Sequence, residues 1–382
     1  MAPPRFYGDE PHLKDYTAEN ITTNAILSNT GRARDPRHVA FMEQLIPYLH
    51  KFIREKPLKP ERWEKDVHFG RNNPNTRDQR EEEFMLLSHM FGVSTLVEAI
   101  HHPRPPNCTE GTIQGPFSSI KPPAYPNGTD IMGDLRGQDM LVVGSIRDTS
   151  GNPIEGVKVH AWHADSEGKY DVELGQNKRW DYTFDYDGPY HRGKFTSNEE
   201  GDFWFRTIGP WHYGVPKTIA VDNLVRVLGR HSLRPPSVHF VFEKPGYDKL
   251  ITSLFVKNNR YVGTDFAISV KESLLVDVVK IDEETIKKYG SHTGADLIKY
   301  TFVLATEDEV NELKAQQREK KKKVKGKKVE KDGKDEEDKN GDRDDEDGKD
   351  RNGKGKANER PYKRVRTDAG GSRLPTLSML LN

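Results

Sequence analysis

The chain changes its hydrophobic period once, between Pro103 and Gly111, and that break limits what it can fold into. Upstream, Val39, Met42, Leu45, Ile46, Leu49, Phe52 and Ile53 recur at three- and four-residue steps. Such spacing lines one face of a helix. Asp35-Pro36 offers a start, with aspartate as N-cap and proline in the first turn. Pro47 interrupts the pattern and is expected to kink the helix. A second pattern holds Phe84, Leu87, Met90, Phe91, Val93, Leu96, Val97 and Ile100, and Pro103-Arg104-Pro105-Pro106 stops it. Downstream of Gly111 the runs are short and alternating. Met140 to Ile146 reads as a strand, Asp148 to Pro153 as a turn, and Asp202 to Ile208 and Val238 to Phe242 as further strands. Val157, Val159, Ala161 and His163 alternate with Lys158, His160 and Trp162. Many short strands with turn signals between them predict a β-sandwich.

The expected class is therefore mainly β, with an N-terminal helical domain and a charged C-terminal tail. The boundaries read as a polar arm over 1–34, helices over 35–110, the sandwich over 111–306 and the tail over 307–382. Val329 to Asp350 mixes acids and bases with almost no apolar side chains, so residues 312–373 are expected to be disordered. Lysine plus arginine and aspartate plus glutamate both number 60, so nucleic acid and acidic membranes gain no global attraction. A single cysteine, Cys108, excludes an internal disulfide framework and suits a reducing compartment. No stretch has the apolar length of a signal peptide or a membrane span. The expected location is cytoplasmic. Lys320 to Lys328 and Lys363-Arg364-Val365-Arg366 resemble nuclear-import signals, which leaves the nucleus open.

The candidate site lies between Gly168 and His239. Residues two apart on a strand share a face, so Ser237 and His239 project together. Two histidines at that spacing would chelate one metal; here one member is a hydroxyl, a much poorer ligand. Tyr170 follows the turn Glu167-Gly168-Lys169, and Tyr213 lies in a loop after the strand ending at Ile208. Both can approach the Ser237/His239 face. Phenolate is a hard donor that suits ferric iron, and the metal's charge promotes its ionisation. Taken singly each residue has a blander reading, a tyrosine with a satisfied hydroxyl or a structural histidine.

Motifs along the chain resemble the intradiol ring-cleavage dioxygenases. These are Thr112 to Phe117, Val159 to Asp165, Arg192 to Phe195, Pro245-Gly246-Tyr247 and Thr264 to Ala267. Glu83 to Ser88 and Leu96 to Ile100 resemble the helical linker of the catechol and hydroxyquinol 1,2-dioxygenase branch. Gly115-Pro116-Phe117 and the region around Arg192 look closer to hydroxyquinol enzymes. The resemblance covers roughly residues 35–290. It implies Fe(III) held by Tyr170, Tyr213 and His239, with Ser237 at the position of the family's other histidine. It implies a catechol-type diol that binds as a dianion in place of Tyr213, reaction with O2, and opening to a muconate-type diacid. Arg234 falls on the family's arginine, whose charge stabilises anionic species. Leu86, His89, Ile113, Pro116, Phe117 and Arg234 fall at the substrate, and the helices imply a homodimer.

Three positions depart from the family pattern. Ser237 removes a ligand, Ser253 replaces a frequent glutamine, and His89 stands where relatives usually place aspartate. Ser237 leaves two alternatives to a retuned dioxygenase. One is a non-catalytic descendant that binds a phenol or only dimerises; the other converts an aromatic without ring cleavage.

Overall fold

The computed structural model describes residues 16–56, 79–118, 120–133, 137–174 and 190–319. Four helices open it: α1 (Ile21–Thr30), α2 (Pro36–Glu55), α3 (Gln79–Met90) and α4 (Val93–His101). The Asp35 side chain accepts from the Arg37 amide at 2.9 Å, which is the expected N-cap of α2. That helix runs on through Pro47 as one element. The second apolar pattern is two helices rather than one. They break at Gly92, whose φ of +72° is in the left-handed region, and bend by 73°. A Cβ at Gly92 would meet Ala25 and Ile21 of α1 at 3.3 Å, so glycine serves both the bend and the packing of α1 into it. Among the described residues no single helix is long and apolar enough to cross a membrane.

Two findings correct the sequence reading at its ends. Part of the supposed N-terminal arm is α1, with Ile21 and Ala25 buried in the helical core. Apolar positions there are sparse, so periodicity did not reveal it; the contacts that hold it are tertiary. The supposed tail begins with a helix over 307–319. Thr306 and Glu309 form a capping box: the Glu309 amide donates to Thr306 Oγ1 at 3.2 Å and the Thr306 amide donates to Glu309 Oε2 at 2.7 Å. Val310 is buried with Cys108 and Ala305, which docks the helix. The basic blocks at 320–328 and 363–366 lie outside the described residues.

The remainder is a sandwich. One sheet holds β1 (Asp139–Arg147), β4 (Asp202–Ile208), β10 (Val279–Lys280) and β11 (Asp296–Val303) in the order β10-β11-β1-β4. The other holds β2 (Lys158–His163), β3 (Arg192–Thr196), β7 (Ser237–Glu243), β8 (Leu250–Val256) and β9 (Leu275–Val276) in the order β3-β2-β7-β8-β9. A two-stranded ribbon pairs β5 (Tyr213–Gly214) with β6 (Leu233–Arg234). The alternating residues of β2, β4 and β7 place Val159, Ala161, Phe203, Phe205, Phe240 and Phe242 in the core between the sheets. Phe203 packs within 6.0 Å, ring to ring, of Phe240, Phe242 and Phe302.

The helical half is bolted to the sandwich by Arg230. This buried guanidinium donates to Asn29 Oδ1 in α1, to the Met90 carbonyl in α3, and to the Asp265 and Phe266 carbonyls, at 2.8 to 3.4 Å. The loop at 265–269 is thereby held between the helices and the site below.

Candidate active site

Two loops bring the tyrosines together. Asp165 organises the first: its Oδ1 accepts from the amides of Glu167 and Lys169, both at 2.8 Å. Gly168 has a φ of +80°, and a Cβ there would lie 2.3 Å from the His212 carbonyl oxygen. Only glycine lets the Tyr170 loop press against the loop that carries Tyr213. Tyr213, expected in a loop, lies in β5 and pairs directly with Arg234 in β6.

His239 sits at the centre of the five-stranded sheet, opposite Trp162 of β2 and Ser253 of β8. Its Nε2 lies 2.8 Å from Tyr170 OH, and its Nδ1 lies 2.8 Å from Ser253 Oγ. The rings of Tyr170 and Tyr213 meet edge to face, with centroids 5.2 Å apart. Arg234 Nη1 donates to Tyr213 OH at 3.0 Å. Thus Tyr170, Tyr213, His239 and Arg234 form one buried cluster. Ser237, two residues before His239 on β7, is also buried, and its Oγ has no hydrogen-bond partner among the described residues.

The segment at 112–117 covers the cluster. A Cβ at Gly115 would lie 2.5 Å from His239 Cγ, so the chain passes directly over the imidazole. Trp162 Nε1 donates to the Pro116 carbonyl and Arg192 Nη1 to the Phe117 carbonyl, both at 2.9 Å. These bonds hold Phe117 at a φ of +56°, which a non-glycine residue rarely adopts. Its ring lies 5.5 Å from that of Tyr170. Arg192 also donates through two nitrogens to Asp171, at 2.8 and 2.9 Å, so one guanidinium fixes both Phe117 and the residue after Tyr170.

The other expected substrate residues are more dispersed. Leu86 and Ile113 are buried in the helical core cluster, which also contains Phe266 to Ile268. The Nδ1 of His89 lies 2.9 Å from Ser94 Oγ. Burial, with Arg234 adding to it, holds the His89 imidazole down to about 4, so it is neutral at physiological pH.

Burial sets the charge state of the cluster. It pushes the Tyr170 phenol well above its ordinary value, and the neighbouring Tyr213 adds to the shift. Tyr213 is raised as well, because burial outweighs the pull of Arg234. His239 is held well below the usual histidine range by burial and then by Arg234. For Arg234 burial opposes the charge, but Asp265 and Tyr213 more than offset it. Without a bound cation the site therefore holds two neutral phenols, a neutral imidazole and one guanidinium.

Family models match most of the described chain. Residues 35–109 match the catechol dioxygenase N terminus and residues 113–306 the dioxygenase model. The chain belongs to the intradiol ring-cleavage dioxygenases. An intradiol ring-cleavage dioxygenase of Aspergillus niger is 40% identical over 306 residues, spanning 80% of this chain and 90% of its own. A hydroxyquinol 1,2-dioxygenase of Rhizobium is 34% identical over 292 residues, spanning 76% of this chain and 96% of its own. The crystal structure of hydroxyquinol 1,2-dioxygenase from Pseudomonas putida superposes with a TM-score of 0.54 at 29% identity, covering 76% of this chain and 99% of that one. Membership places this dioxygenase in the catechol/hydroxyquinol branch and implies an iron-dependent mechanism.

Sequence reasoning assigned no role to the partners that hold these side chains. Asp265 stands within the quoted Thr264 to Ala267 motif and receives Arg234 Nε on Oδ1 at 3.1 Å and Nη2 on Oδ2 at 3.3 Å. Ser269 accepts from Arg234 Nη2 at 2.6 Å and donates to Asp265 Oδ2 at 3.0 Å. Thr112, Trp162, Asp171 and Arg192 likewise act from within or beside motifs already visible in the sequence. Among the described residues no group of three or more histidine, cysteine or carboxylate side chains gathers, so any metal must lean on the phenols.

Proposed function

We propose that this dioxygenase cleaves hydroxyquinol, or a closely related catechol, using Fe(III) and O2. The observation that carries the reading is the buried meeting of Tyr170 OH, Tyr213 OH and His239 Nε2 beside the Arg234 guanidinium. The residues fit the metal. Two phenols and an imidazole nitrogen are hard or borderline donors, and the orphaned Ser237 Oγ adds a polar atom with no protein partner among the described residues. The preference for hydroxyquinol is supported by the Rhizobium and Pseudomonas relatives, whose names specify that substrate.

Ferric iron bound here supplies the charge that ionises phenols and diol and draws electron density from the ring toward reaction with O2. The side chains divide the remaining work. Tyr170 and His239 would serve as the fixed donors to the metal. Tyr213 would be the exchangeable one: ionised beside the metal, its phenolate oxygen would take up a proton from the diol, and Arg234 Nη1 is already in place to hold the resulting hydroxyl. The guanidinium then faces the diolate as a fixed counter-charge, in a site too buried for water to screen it. Phe117 packs beside Tyr170, and the chain at Gly115 covers His239.

The test is iron content of the purified protein, with oxygen uptake on hydroxyquinol and catechol. Bound iron with a tyrosinate-to-iron visible band, lost together with oxygen uptake on chelation, is the expected result. Colourless, metal-free protein that consumes no oxygen on either diol overturns it and favours a phenol-binding descendant.

We also read α2 as a self-association surface. Phe41, Tyr48 and Phe52 recur on one stripe and are 56%, 71% and 52% exposed. Sedimentation is expected to give about twice the chain mass, falling toward one when Tyr48 and Phe52 are both changed to glutamate. A wild-type monomer at all concentrations rejects the surface.

A further inference from the structure

One row of residues crosses the five-stranded sheet beneath the segment at 115–117. Arg192 of β3, Trp162 of β2 and His239 of β7 stand opposite one another in register. The segment meets them one residue to each strand. A Cβ on Gly115 would collide with the His239 ring, the Pro116 carbonyl accepts from Trp162 Nε1, and the Phe117 carbonyl accepts from Arg192 Nη1. The register of three strands thus fixes where residues 115–117 lie.

The contact at Phe117 has the most to hold. With a φ of +56° this residue sits in the left-handed region, where a side chain crowds its own backbone. Such a conformation persists only where the surroundings over-determine it. The Phe117 ring packs against the cluster that contains Tyr170 and Tyr213. Arg192 supplies the restraint from a side chain only 1% exposed. Its Nε and Nη2 donate to the two oxygens of Asp171 at 2.8 and 2.9 Å, and its Nη1 donates to the Phe117 carbonyl at 2.9 Å. Asp171 directly follows Tyr170 in the chain. One rigid fork therefore sets the distance between the loop that carries Tyr170 and the segment that carries Phe117.

We propose that Arg192 is a specificity-determining positioning residue: it holds the Phe117 ring against the tyrosines and so limits the room for substituents on the diol ring. Arg192 acts through Phe117, by way of the backbone carbonyl. A buried ion pair that only stabilised the fold would lower turnover of every diol alike. The entry of a diol beside Tyr170 and Tyr213 rests on the function proposed above; the clamp on Phe117 does not.

The experiment compares the full-length wild type with Arg192→Lys. An ammonium keeps a positive charge opposite Asp171, but as a single point it cannot hold the carboxylate edge and the Phe117 carbonyl in one fixed plane. Phe117 is then expected to leave the left-handed region, which a crystal structure of the variant reads directly. Selectivity is read as kcat/KM for 3-methylcatechol and for 4-methylcatechol, each relative to catechol. At least one of the two ratios is expected to rise about 10-fold, the lower end of what one methylene is worth in an apolar pocket. Such a ratio does not depend on the fraction of protein that is folded or iron-loaded, so destabilisation alone leaves both at their wild-type values. Should Arg192→Lys fail to fold, Trp162→Phe removes the donor to the Pro116 carbonyl, keeps an aromatic ring, and is expected to move the same ratios. Unchanged ratios in a folded variant overturn the inference, and so does Phe117 remaining at its wild-type φ. A wild type that opens no catechol overturns the proposed function and the selectivity with it, and the φ of Phe117 in the variant then decides whether the clamp stands.

Discussion

Ser237→His is expected to bind ferric iron much more tightly than the wild type and to consume oxygen faster on hydroxyquinol. Ser237 and His239 are two apart near the start of the central strand β7, and both are buried. An imidazole at 237 would add a donor beside His239, and no protein partner of the present hydroxyl among the described residues would be lost. Removing even an outer partner of a metal ligand costs about 10–100-fold in affinity or activity. Adding a direct ligand should gain at least that much. Iron retained after dialysis against a graded chelator measures affinity, and oxygen uptake measures turnover. A wild type that already holds one iron through dialysis, with the variant less active, would show that the hydroxyl itself belongs to the working site. The imidazole is larger than the hydroxyl it replaces, so thermal melting should accompany the iron measurements to separate poor packing from poor binding.

The second large effect is expected at Asp265. The Asp265–Arg234 pair is almost fully enclosed, with side chains 3% and 6% exposed, and Arg234 in turn holds Tyr213. Asp265→Asn keeps the shape and the acceptor for the Ala267 amide but removes the charge opposite the guanidinium. Breaking a buried ion pair from one side costs about 3–5 kcal/mol, because the remaining charge is left in a poor solvent. Urea unfolding should report that loss. Burial opposes ionisation of Asp265, but Arg234 and its hydrogen bonds outweigh it and hold the carboxyl below its ordinary value. The sign follows: a group depressed in the folded state stabilises above its unfolded value and loses that contribution as pH falls through the folded one. The gap between wild type and Asp265→Asn should be full at neutral pH and shrink only on acidification below the unfolded carboxyl value of 3.8. A gap that instead widens in acid would mean the carboxyl is not the partner that stabilises Arg234. Activity should fall as well, since an arginine free to turn no longer presents Nη1 to Tyr213. Asp265→Glu, which restores charge at a longer reach, should recover stability more than turnover.

Local spacing determined much of this protein. The apolar steps from Val39 to Ile53 sufficed for α2, and alternation sufficed for β1, β2, β4 and β7 within about a residue of their ends. The positions of Tyr170, Tyr213, Arg234, Ser237 and His239 were legible because each sits in a motif of adjacent residues. So was the capping box Thr306-Glu307-Asp308-Glu309, a signal present in the sequence and passed over beside the charged tail. What only the tertiary structure decided is the partners. Arg234 meets Asp265, His239 meets Ser253, and Arg192 joins Phe117 to Asp171, across 14 to 75 residues of chain. Helix α1 belongs to the same class, since its own periodicity is weak and it is held by Arg230, some 200 residues away. Periodicity and capping act within one or two turns of backbone, so they leave a mark in neighbouring residues. The hydrogen bonds that orient a buried site depend on strand register and loop closure, and these settle only when distant segments have packed together.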